Sequence, residues 1–307
     1  MSKVYDMIII GGGPGGYTAA LYGARAGLDT LIIEKLSPGG QMATTTQIDN
    51  YPGFDKGIDG YELGERMKAG ADEAGAETVF DQVEKVDFCC DIKTIYGYEN
   101  QYKAKTVVVS TGAAPRKLGL PEEEGLINRG VAYCATCDGA MYKDKTVAVI
   151  GGGNSAAGDA VLLTKLCKKV YMIHRRDSLR ATKSYMKPLD AADNLEYVWN
   201  SKIKEIKADK RVTGIVVEDV NDGSTREIQL DGIFVAVGRV PNTEIFADQL
   251  DLDRVGYIIA DESTKTSAAG VFAVGDLRTK PVRQVVTAAS DGAVAVKFAE
   301  DYINETF

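Results

Sequence analysis

The chain has 307 residues, of which 45% are hydrophobic and 26% are charged, and its net charge at pH 7 is −8. This composition is ordinary for a globular protein of about two domains, and the acidic balance argues against nucleic acid or anionic lipid as the main partner. The apolar run 7–10 is far too short for a signal peptide or a membrane span, so we expect a cytoplasmic protein without a membrane contact.

The first predicted elements form a strand, a glycine loop, a helix and a second strand that ends in an acid. In chain order these are strand 4–10, loop 11–16, helix 15–26, strand 30–33 and Glu34. Gly11 makes the turn, Gly13 lets the backbone approach a pyrophosphate, and Gly16 packs the helix on the strand. A carboxylate at the position of Glu34 can accept hydrogen bonds from ribose hydroxyls. The stretch therefore predicts a dinucleotide site.

A second copy of this pattern lies further along the chain. It consists of strand and loop 146–156 with Gly151, Gly153 and Ala156, a helix to about 168, and a strand over 170–173. The position equivalent to Glu34 is His174, and three arginines follow it, namely Arg175, Arg176 and Arg180. We expect His174 to pack beside the nucleotide rather than to take part in catalysis.

The exchange of an acid for arginines at equivalent positions predicts two different dinucleotides. A carboxylate accepts from a free ribose diol, whereas arginines form charge-assisted bonds to a 2′-phosphate. Two such bonds favour NADP over NAD by on the order of a hundredfold or more. Two different dinucleotides on one chain indicate electron transfer between them.

A second pair of similar segments predicts the domain joints. Residues 107–115 and 233–241 each consist of a strand, a glycine and a proline. We expect each to be the last strand of a nucleotide-binding domain, so that the second domain is inserted into the first. The predicted boundaries are 1–114 and 242–307 for the first domain and 115–241 for the second.

The C-terminal segment is expected to return to the first domain. Residues 266–278 predict a strand that ends at Gly275 and Asp276, and a helix then opens near Arg283 and Gln284. A helix N-terminus stabilises negative charge, which is the charge that develops on a flavin ring as it is reduced.

Cys134 and Cys137 lie three residues apart, and Asp138 follows directly. A structural zinc site needs four ligands, and the chain has one such cysteine pair and one histidine, so we expect no metal. A structural disulfide is disfavoured in a cytosolic protein. A redox dithiol is typical of this spacing beside a strand–helix–strand pattern, and Asp138 supplies a proton donor and acceptor.

The remaining three cysteines are Cys89, Cys90 and Cys167. They stand in apolar or mixed surroundings, and five cysteines in a chain of this length do not make a disulfide scaffold. We expect all three to be buried structural thiols.

Taken together, these motifs resemble the low-molecular-weight, NADPH-dependent thioredoxin reductases. The likeness covers essentially the whole chain, and the matching stretches are GGGPGG, GGQ at 39–41, Thr44–Thr46 with Asn50, STGA, CATCDG, GGGNSA, HRRDSLRA, GVFAVGD and RQ…TAA..DG. The resemblance implies an α/β protein with two Rossmann-like, three-layer dinucleotide-binding domains, the NADPH domain inserted into the FAD domain, and a homodimer.

The resemblance also implies which residues hold the two cofactors. The expected FAD contacts are Gly11, Gly13, Pro14, Gly16, Glu34, Gly40, Gln41, Asn50, Thr111, Gly112, Gly275, Asp276, Arg283, Gln284 and Ala288. The expected NADPH contacts are Gly153, Asn154, Ser155, Ala156, His174, Arg175, Arg176 and Arg180.

The implied activity is transfer of a hydride from NADPH to FAD, then reduction of the Cys134–Cys137 disulfide, then reduction of oxidised thioredoxin. By resemblance, Cys137 faces the flavin, Cys134 attacks the thioredoxin disulfide, and Asp138 is the acid/base. The inserted domain would rotate about joints near Pro115 and Pro241, so a crosslink there is expected to slow turnover without weakening FAD binding. Normal turnover in such a crosslinked variant would rule this out.

The chain departs from the family pattern at two places. One acid, Asp159, is kept where members commonly have two, and we expect this to change helix packing rather than cofactor choice. Ala140 and Met141 replace a pair of aromatic residues at the position where thioredoxin docks. Since methionine is adaptable, the docking pocket is expected to suit a different thioredoxin, with the docking contacts Arg129, Met141 and Tyr142.

Four other functions stay open at this point. The first is a reductase of another small dithiol carrier, and Ala140 and Met141 allow it. A flavin disulfide oxidase would not need the arginines after His174, and a ferredoxin–NADP reductase would lack the cysteine pair. A non-catalytic dinucleotide sensor would explain the glycine loops but not the cysteines.

Overall fold

The structure, a computed structural model, describes residues 3–45 and 47–307. Thr46, which belongs to one of the matching motifs, lies outside the described residues. Contacts divide the chain into two compact units, Met1–Ala114 with Val240–Phe307 and Pro115–Arg239. In chain order the second unit stands inside the first, and it ends at Arg239, whereas the predicted insert runs to 241.

The strands are β1 (Val4–Ile10), β2 (Thr30–Glu34), β3 (Glu77–Phe80), β4 (Val83–Asp87), β5 (Lys93–Gly97), β6 (Gln101–Val109), β7 (Ala113–Pro115), β8 (Val131–Ala132), β9 (Thr146–Ile150), β10 (Lys169–Ile173), β11 (Leu195–Val198), β12 (Ser201–Ala208), β13 (Val212–Asp219), β14 (Thr225–Gln229), β15 (Gly232–Val235), β16 (Arg239–Pro241) and β17 (Val271–Ala273). The α-helices are α1 (Pro14–Arg25), α2 (Gly60–Glu73), α3 (Ala135–Asp138), α4 (Asn154–Leu166), α5 (Lys183–Asp190) and α6 (Val285–Thr306).

The first unit is built on a seven-stranded sheet with β1 near its centre. The strand order is β3-β2-β1-β6-β5-β4, and β17 also pairs with β6. β1 is parallel to both of its neighbours, and Ile8 and Ile9 in it are fully buried on opposite faces of the sheet. Helices α1 and α6 pack on one of these faces. Burial on both sides explains why the strand is a continuous apolar run rather than an alternation of polar and apolar residues.

The second unit is built on a parallel sheet with the order β11-β10-β9-β15-β8. A three-stranded antiparallel sheet, β12-β13-β14, covers one face through side chains such as Ile203 and Ile215. Helix α4 covers the other face through Ala156, Ala160 and Leu163. The unit therefore has three layers.

The predicted fold class, an α/β protein with two Rossmann-like units, is confirmed. The helix after the first glycine loop was predicted over 15–26 and is found at Pro14–Arg25. In both units the glycine loop follows a strand that is parallel to both of its neighbours, at the carboxyl ends of these strands, which is where parallel strands bind ligands. None of the helices in the described ranges is both long enough and apolar enough to cross a membrane.

Candidate active site

Cys134 and Cys137 form a disulfide at the start of α3, with their Cα atoms 5.3 Å apart. Strand β8 of the parallel sheet ends just before them, which places the pair at the same sheet edge as the second glycine loop. Both cysteines are half-buried, and Thr136 between them is exposed. The sulfur atoms are therefore held by a buried strand and a short helix, yet they lie at the surface of the second unit.

Asp138 is the last residue of α3, directly after Cys137. Burial raises the pKa of its carboxyl group to about 6. A carboxyl group with a pKa this close to neutral can both release and take up a proton at the pH of a cell. The predicted acid/base position thus has the chemistry that the role requires.

Asp159, on α4, is a second acid that contacts the redox helix. Its carboxylate accepts a hydrogen bond from the Ala135 backbone N–H, and the Arg239 guanidinium lies near it. Burial outweighs both of these effects and raises the pKa of Asp159 to about 7. The sequence predicted that this departure changes helix packing, and did not predict the contact with the redox helix.

We expect Asp159→Asn to remove part of the fall in stability that wild type shows as the pH rises. The folded pKa of Asp159 lies above its ordinary value, so the folded state binds more protons and stability falls as pH rises from about 4 to about 7. Asparagine keeps an acceptor for the Ala135 N–H but cannot ionise. The free energy of unfolding of the variant, relative to that of wild type, should therefore rise by about 1–2 kcal/mol from pH 5 to pH 8. This is less than the whole pKa shift would give, because the Asp159 side chain is partly exposed.

Urea unfolding of both proteins at pH 5 and pH 8 measures this difference. Asp193→Asn, at an exposed position of the same unit, is the control and should follow wild type at both pH values. An identical pH dependence for Asp159→Asn and wild type would contradict the prediction.

The first glycine loop has the geometry that a dinucleotide needs. Gly11 has φ +103°, and a Cβ atom there would lie 2.6 Å from the Ser110 carbonyl oxygen. Gly16 packs so closely on the Gly11 carbonyl that it has no room for a side chain. A Cβ atom on Gly13, in contrast, would meet no atom of the described residues within 4 Å. The loop is therefore closed on the protein side and open at the N-terminus of α1, where Pro14 is the first residue.

Glu34 holds this loop in place at the end of β2. Its Oε2 accepts from the Gly12 backbone N–H at 2.6 Å, and its Oε1 accepts from the Leu36 N–H at 3.0 Å. The side chain is 9% exposed. Carboxylate oxygens have about four acceptor sites, so two of them remain for ribose hydroxyls.

Other predicted FAD contacts gather around the same loop. A Cβ atom on Gly40 would lie 3.4 Å from the Gly13 Cα atom, and one on Gly15 would lie 3.1 Å from the Ala288 carbonyl oxygen. A Cβ atom on Gly275 would lie 3.5 Å from the Ala288 side chain. Segments distant in sequence thus converge on one loop of the first unit.

The remaining polar residues of this set are held by bonds to one another or to the backbone. Gln41 donates to the Ala113 carbonyl oxygen, and Asn50 Nδ2 donates to Gln284 Oε1 at 3.1 Å. Thr111, which precedes Gly112, donates from Oγ1 to the Asn242 carbonyl oxygen at 2.6 Å. Arg283 Nε donates to the Asp276 carbonyl oxygen at 3.2 Å. Gln284 also caps α6 together with Thr287. These bonds fix the positions of the side chains before any ligand binds.

A buried ionic cluster, which the sequence did not predict, supports the segment Gly275–Leu277. Asp291 of α6 accepts from Arg278 Nε at 2.9 Å and Nη2 at 2.8 Å, from Lys280 Nζ at 2.7 Å, and from the Gly275 backbone N–H at 2.8 Å. Burial alone would raise the pKa of Asp291, but the bonds from Arg278 and Lys280 hold it below its ordinary value. The cluster joins the turn that follows strand β17 to the first half of helix α6.

Asp291→Ala is expected to destabilise the protein by about 3–5 kcal/mol, because it leaves two buried cations without their partner. Asp301→Ala, in the exposed pair with Lys297 on the same helix, is the control and should cost about 1 kcal/mol or less. Urea unfolding at neutral pH compares the two variants, and equal losses would show that the buried cluster adds no stability.

The second glycine loop repeats the geometry of the first in the second unit. A Cβ atom on Gly151 would clash with the Ala236 carbonyl oxygen, and Ala156 is fully buried beside it. A Cβ atom on Gly153 would find no neighbour within 4 Å in the described part of the chain. Asn154 and Ser155 begin α4 and are exposed, and Asn154 Oδ1 accepts from the Thr182 N–H at 2.8 Å.

The arginine segment lies next to this loop. The Arg180 backbone N–H donates to the Gly152 carbonyl oxygen at 2.7 Å, so the segment folds back onto the glycines. Arg175, Arg176 and Arg180 are all exposed. Three guanidinium groups beside an open helix N-terminus suit a phosphorylated ribose.

His174 is buried against the loop rather than exposed to solvent. It is 5% exposed, and its Nε2 has no hydrogen-bond partner among the described residues. Burial, and then the charges of the three arginines, lower the pKa of His174, so the imidazole is neutral. A neutral ring with an unpaired nitrogen against Gly152 of the glycine loop can pack beside a nucleotide, as the sequence predicted.

The three predicted docking residues differ in how far their side chains are exposed to solvent. Arg129 is exposed and lines an open cavity of about 630 Å³ with Lys210 and Arg211 of the β12–β13 turn. Met141 is 55% exposed. Tyr142 is 4% exposed and packs edge-on against Phe234, so its prediction as a docking contact is at odds with the structure. Its ring fills the space above Gly232, where it cannot reach a partner.

The prediction of three buried thiols is wrong for two of them. Cys167 is buried, but Cys89 and Cys90 are exposed. They lie in the turn between β4 and β5, and only the adjacent Phe88 enters the core. Across residues 3–45 and 47–307, no group of three or more histidine, cysteine and acidic residues is arranged to hold a metal ion.

Comparison with known proteins adds the family. The family described as "Pyridine nucleotide-disulphide oxidoreductase" matches residues 5–292. A thioredoxin reductase of Peptoclostridium acidaminophilum is 46% identical over 100% of this chain and 99% of its own. A thioredoxin reductase of Listeria monocytogenes is 44% identical over 99% of this chain and 95% of its own. The crystal structure of a thioredoxin reductase from Streptococcus pyogenes superimposes with a TM-score of 0.90 at 42% identity, covering 99% of this chain and 100% of that one.

Proposed function

The chain belongs to the pyridine nucleotide-disulphide oxidoreductase family, and from this premise we infer that it is a flavoprotein that uses NADPH to reduce the disulfide of thioredoxin. The observation that carries the inference is the Cys134–Cys137 disulfide, held at the surface with the carboxyl group of Asp138 directly behind it. A pair buried as a structural staple would not need an adjacent acid with a pKa of about 6.

The residues of each unit fit one cofactor. FAD would lie on the first glycine loop, with Glu34 toward the ribose and the N-terminus of α1 toward the phosphates. NADPH would lie on the second loop, with Arg175, Arg176 and Arg180 toward the 2′-phosphate. Bound NADPH supplies a hydride, and bound FAD supplies the two-electron carrier between a nicotinamide and a disulfide.

The chain's own chemistry is thiol–disulfide exchange. The Cys134 thiolate attacks one sulfur of the thioredoxin disulfide, that S–S bond breaks, and a mixed disulfide forms. Cys137 then attacks the Cys134 sulfur, which restores the Cys134–Cys137 bond and releases thioredoxin as a dithiol. Asp138 accepts the proton of Cys137 as that thiol attacks and passes it to the leaving thioredoxin sulfur, and the other thioredoxin sulfur takes its proton from solvent.

A second candidate is a reductase of another small dithiol carrier, and Met141 is the observation that favours it. An exposed, flexible methionine stands where many family members carry an aromatic residue. Since methionine adapts to differently shaped surfaces, this position permits a partner other than a typical thioredoxin.

A homodimer and a cytoplasmic location also belong to this proposal. Three cysteines outside the redox pair are free thiols, and free thiols persist in a reducing compartment. Light scattering of the purified protein tests the dimer, and a single-chain mass in solution would refute it.

The experiment that tests the function is a coupled assay of the purified yellow protein with NADPH, oxidised thioredoxin and a disulfide dye. We expect NADPH oxidation to depend on thioredoxin concentration. NADPH oxidation that requires a different dithiol carrier would support the second candidate. No disulfide reduction with any carrier would overturn both.

A further inference from the structure

Cys89 and Cys90 form a second dithiol, in the first unit, that the proposed function does not use. Both are exposed, and their sulfur atoms lie 3.7 Å apart. Cys89 Sγ donates to Asp87 Oδ1 at 2.8 Å, and the Cys89 backbone N–H donates to the same oxygen at 3.2 Å. One carboxylate thus fixes the orientation of the first thiol.

The turn that carries this dithiol is anchored on both sides. Phe88 is buried, stacks on Phe246 at a centroid distance of 6.3 Å, and its backbone N–H donates to Gln249 Oε1 at 3.0 Å. On the other side, buried Lys93 donates from Nζ to the Asp91 carbonyl oxygen at 3.1 Å. The two thiols therefore stand on a preorganised turn, which lowers the entropic cost of binding one atom with both.

Three kinds of chemistry are open to two adjacent thiols, and the geometry discriminates between them. A disulfide between neighbouring residues is strained, since Cα atoms joined by a trans peptide are about 3.8 Å apart and disulfides prefer about 4.4–6.8 Å. A complete zinc site needs four ligands. In the described residues, no group of three or more histidine, cysteine and acidic side chains is arranged to hold a metal ion.

The third possibility is that both sulfurs bind one soft atom, and the distance of 3.7 Å between the two sulfur atoms suits it. Two thiolate bonds of about 2.3 Å, at an angle between about 90° for a pyramidal centre and the tetrahedral value, hold their sulfurs about 3.3–3.8 Å apart, and this range includes the 3.7 Å found here. A trivalent metalloid that already carries one organic substituent needs two further ligands and no more. Two thiols supply its whole coordination.

We propose that Cys89 and Cys90 bind monosubstituted trivalent arsenicals as a two-sulfur chelate. In this step R–As=O reacts with two thiols to give R–As(S–Cys)₂ and one water molecule. Two As–S bonds form, the arsenic–oxygen bonds break, and both thiol protons leave with the oxygen. Arsenic stays trivalent and no sulfur is oxidised, so no reductant or oxidant takes part.

The protonation of Cys89 fits exchange with an oxide better than disulfide exchange. The hydrogen bond to Asp87, followed by the contact with Cys90, raises the pKa of Cys89 to about 11. A thiol that stays protonated at neutral pH is a poor nucleophile toward disulfides. Asp87 is placed to take the Cys89 proton as the As–S bond forms and to pass it to the departing oxygen.

The test uses phenylarsine oxide as the probe and the oxidised holoenzyme without NADPH. In this state Cys134 and Cys137 are bonded to each other and cannot bind the probe. Alkylation mapping first establishes that Cys89 and Cys90 are free thiols. Intact-mass spectrometry then counts phenylarsenic groups per chain, before and after an excess of a monothiol.

We expect one phenylarsenic group per chain that a monothiol does not remove. Cys89→Ser and Cys90→Ser should each lose this stable adduct, whereas Cys167→Ser, which removes a buried thiol, should keep it. No adduct on the wild type, an adduct kept in both serine variants, or removal by a monothiol would each overturn the proposal. So would binding of Cd²⁺ at the pair without binding of the arsenical. None of these outcomes depends on thioredoxin reduction, so the two proposals can fail separately.

Discussion

Cys137→Ser is expected to lower NADPH-dependent reduction of thioredoxin by more than about a thousandfold, because the variant cannot form the disulfide through which the electrons must pass. The residues proposed to hold NADPH lie on the second glycine loop and in the arginine segment. They are untouched by the change, so NADPH should still bleach the flavin. Steady-state turnover and flavin absorbance, measured on the same preparation, separate the two effects.

The matched control is Cys167→Ser, which removes a buried thiol of the same unit. It should turn over at close to the wild-type rate. Turnover of Cys137→Ser within tenfold of wild type would mean that the disulfide is structural and that another group reduces thioredoxin. Loss of bleaching as well as turnover would mean that the substitution disturbs the nucleotide site.

Replacing both Arg175 and Arg176 with alanine is expected to reduce the preference for NADPH over NADH by on the order of a hundredfold. Each charge-assisted bond to a phosphate contributes roughly 1.5–3 kcal/mol, and each 1.4 kcal/mol is a factor of ten. The effect should appear in KM for NADPH and leave KM for NADH nearly unchanged, since NADH lacks the 2′-phosphate.

Lys168→Ala, at an exposed position of the same unit, controls for a general loss of positive charge. It should change KM for NADPH little. If KM for both nucleotides rose equally in the arginine variant, the arginines would be contributing to binding in general and not to the choice of nucleotide.

The two glycine loops could be predicted from sequence because their geometry leaves few residues to choose from. Gly11 and Gly16 stand where a Cβ atom would strike the backbone, and Gly13 stands at the open side of the loop, where a Cβ atom would meet no described atom within 4 Å. Such demands are local and appear as a fixed spacing. The same holds for Cys134 and Cys137, whose partners are within one turn of helix.

The contacts that the sequence did not predict join residues far apart in the chain. Asp159 is bonded to Ala135, and no local pattern distinguishes it from an acid on a solvated helix face. Asp291 is paired with Arg278 through the return of α6 to the sheet, which becomes apparent only when the tertiary fold is known. Burial determines the environment of both acids, and sequence alone shows burial poorly.

Two errors have the same physical origin. Cys89 and Cys90 were expected to be buried because their sequence surroundings are apolar or mixed, and Val86 and Phe88 just before them are indeed buried. The chain turns at that point, and the alternation of buried and exposed positions ends. Tyr142 was expected at the docking surface from the family resemblance, but the residue after exposed Met141 faces the core.

The measurement that tests the account most directly is an anaerobic titration of the holoenzyme with NADPH, followed by alkylation and peptide mapping of the cysteines. Before NADPH, Cys134 and Cys137 should resist alkylation. After flavin bleaching they should both be alkylated, and adding oxidised thioredoxin before the alkylating agent should protect them again. Bleaching that leaves the Cys134–Cys137 bond intact would contradict the proposed path of electrons from NADPH to the disulfide.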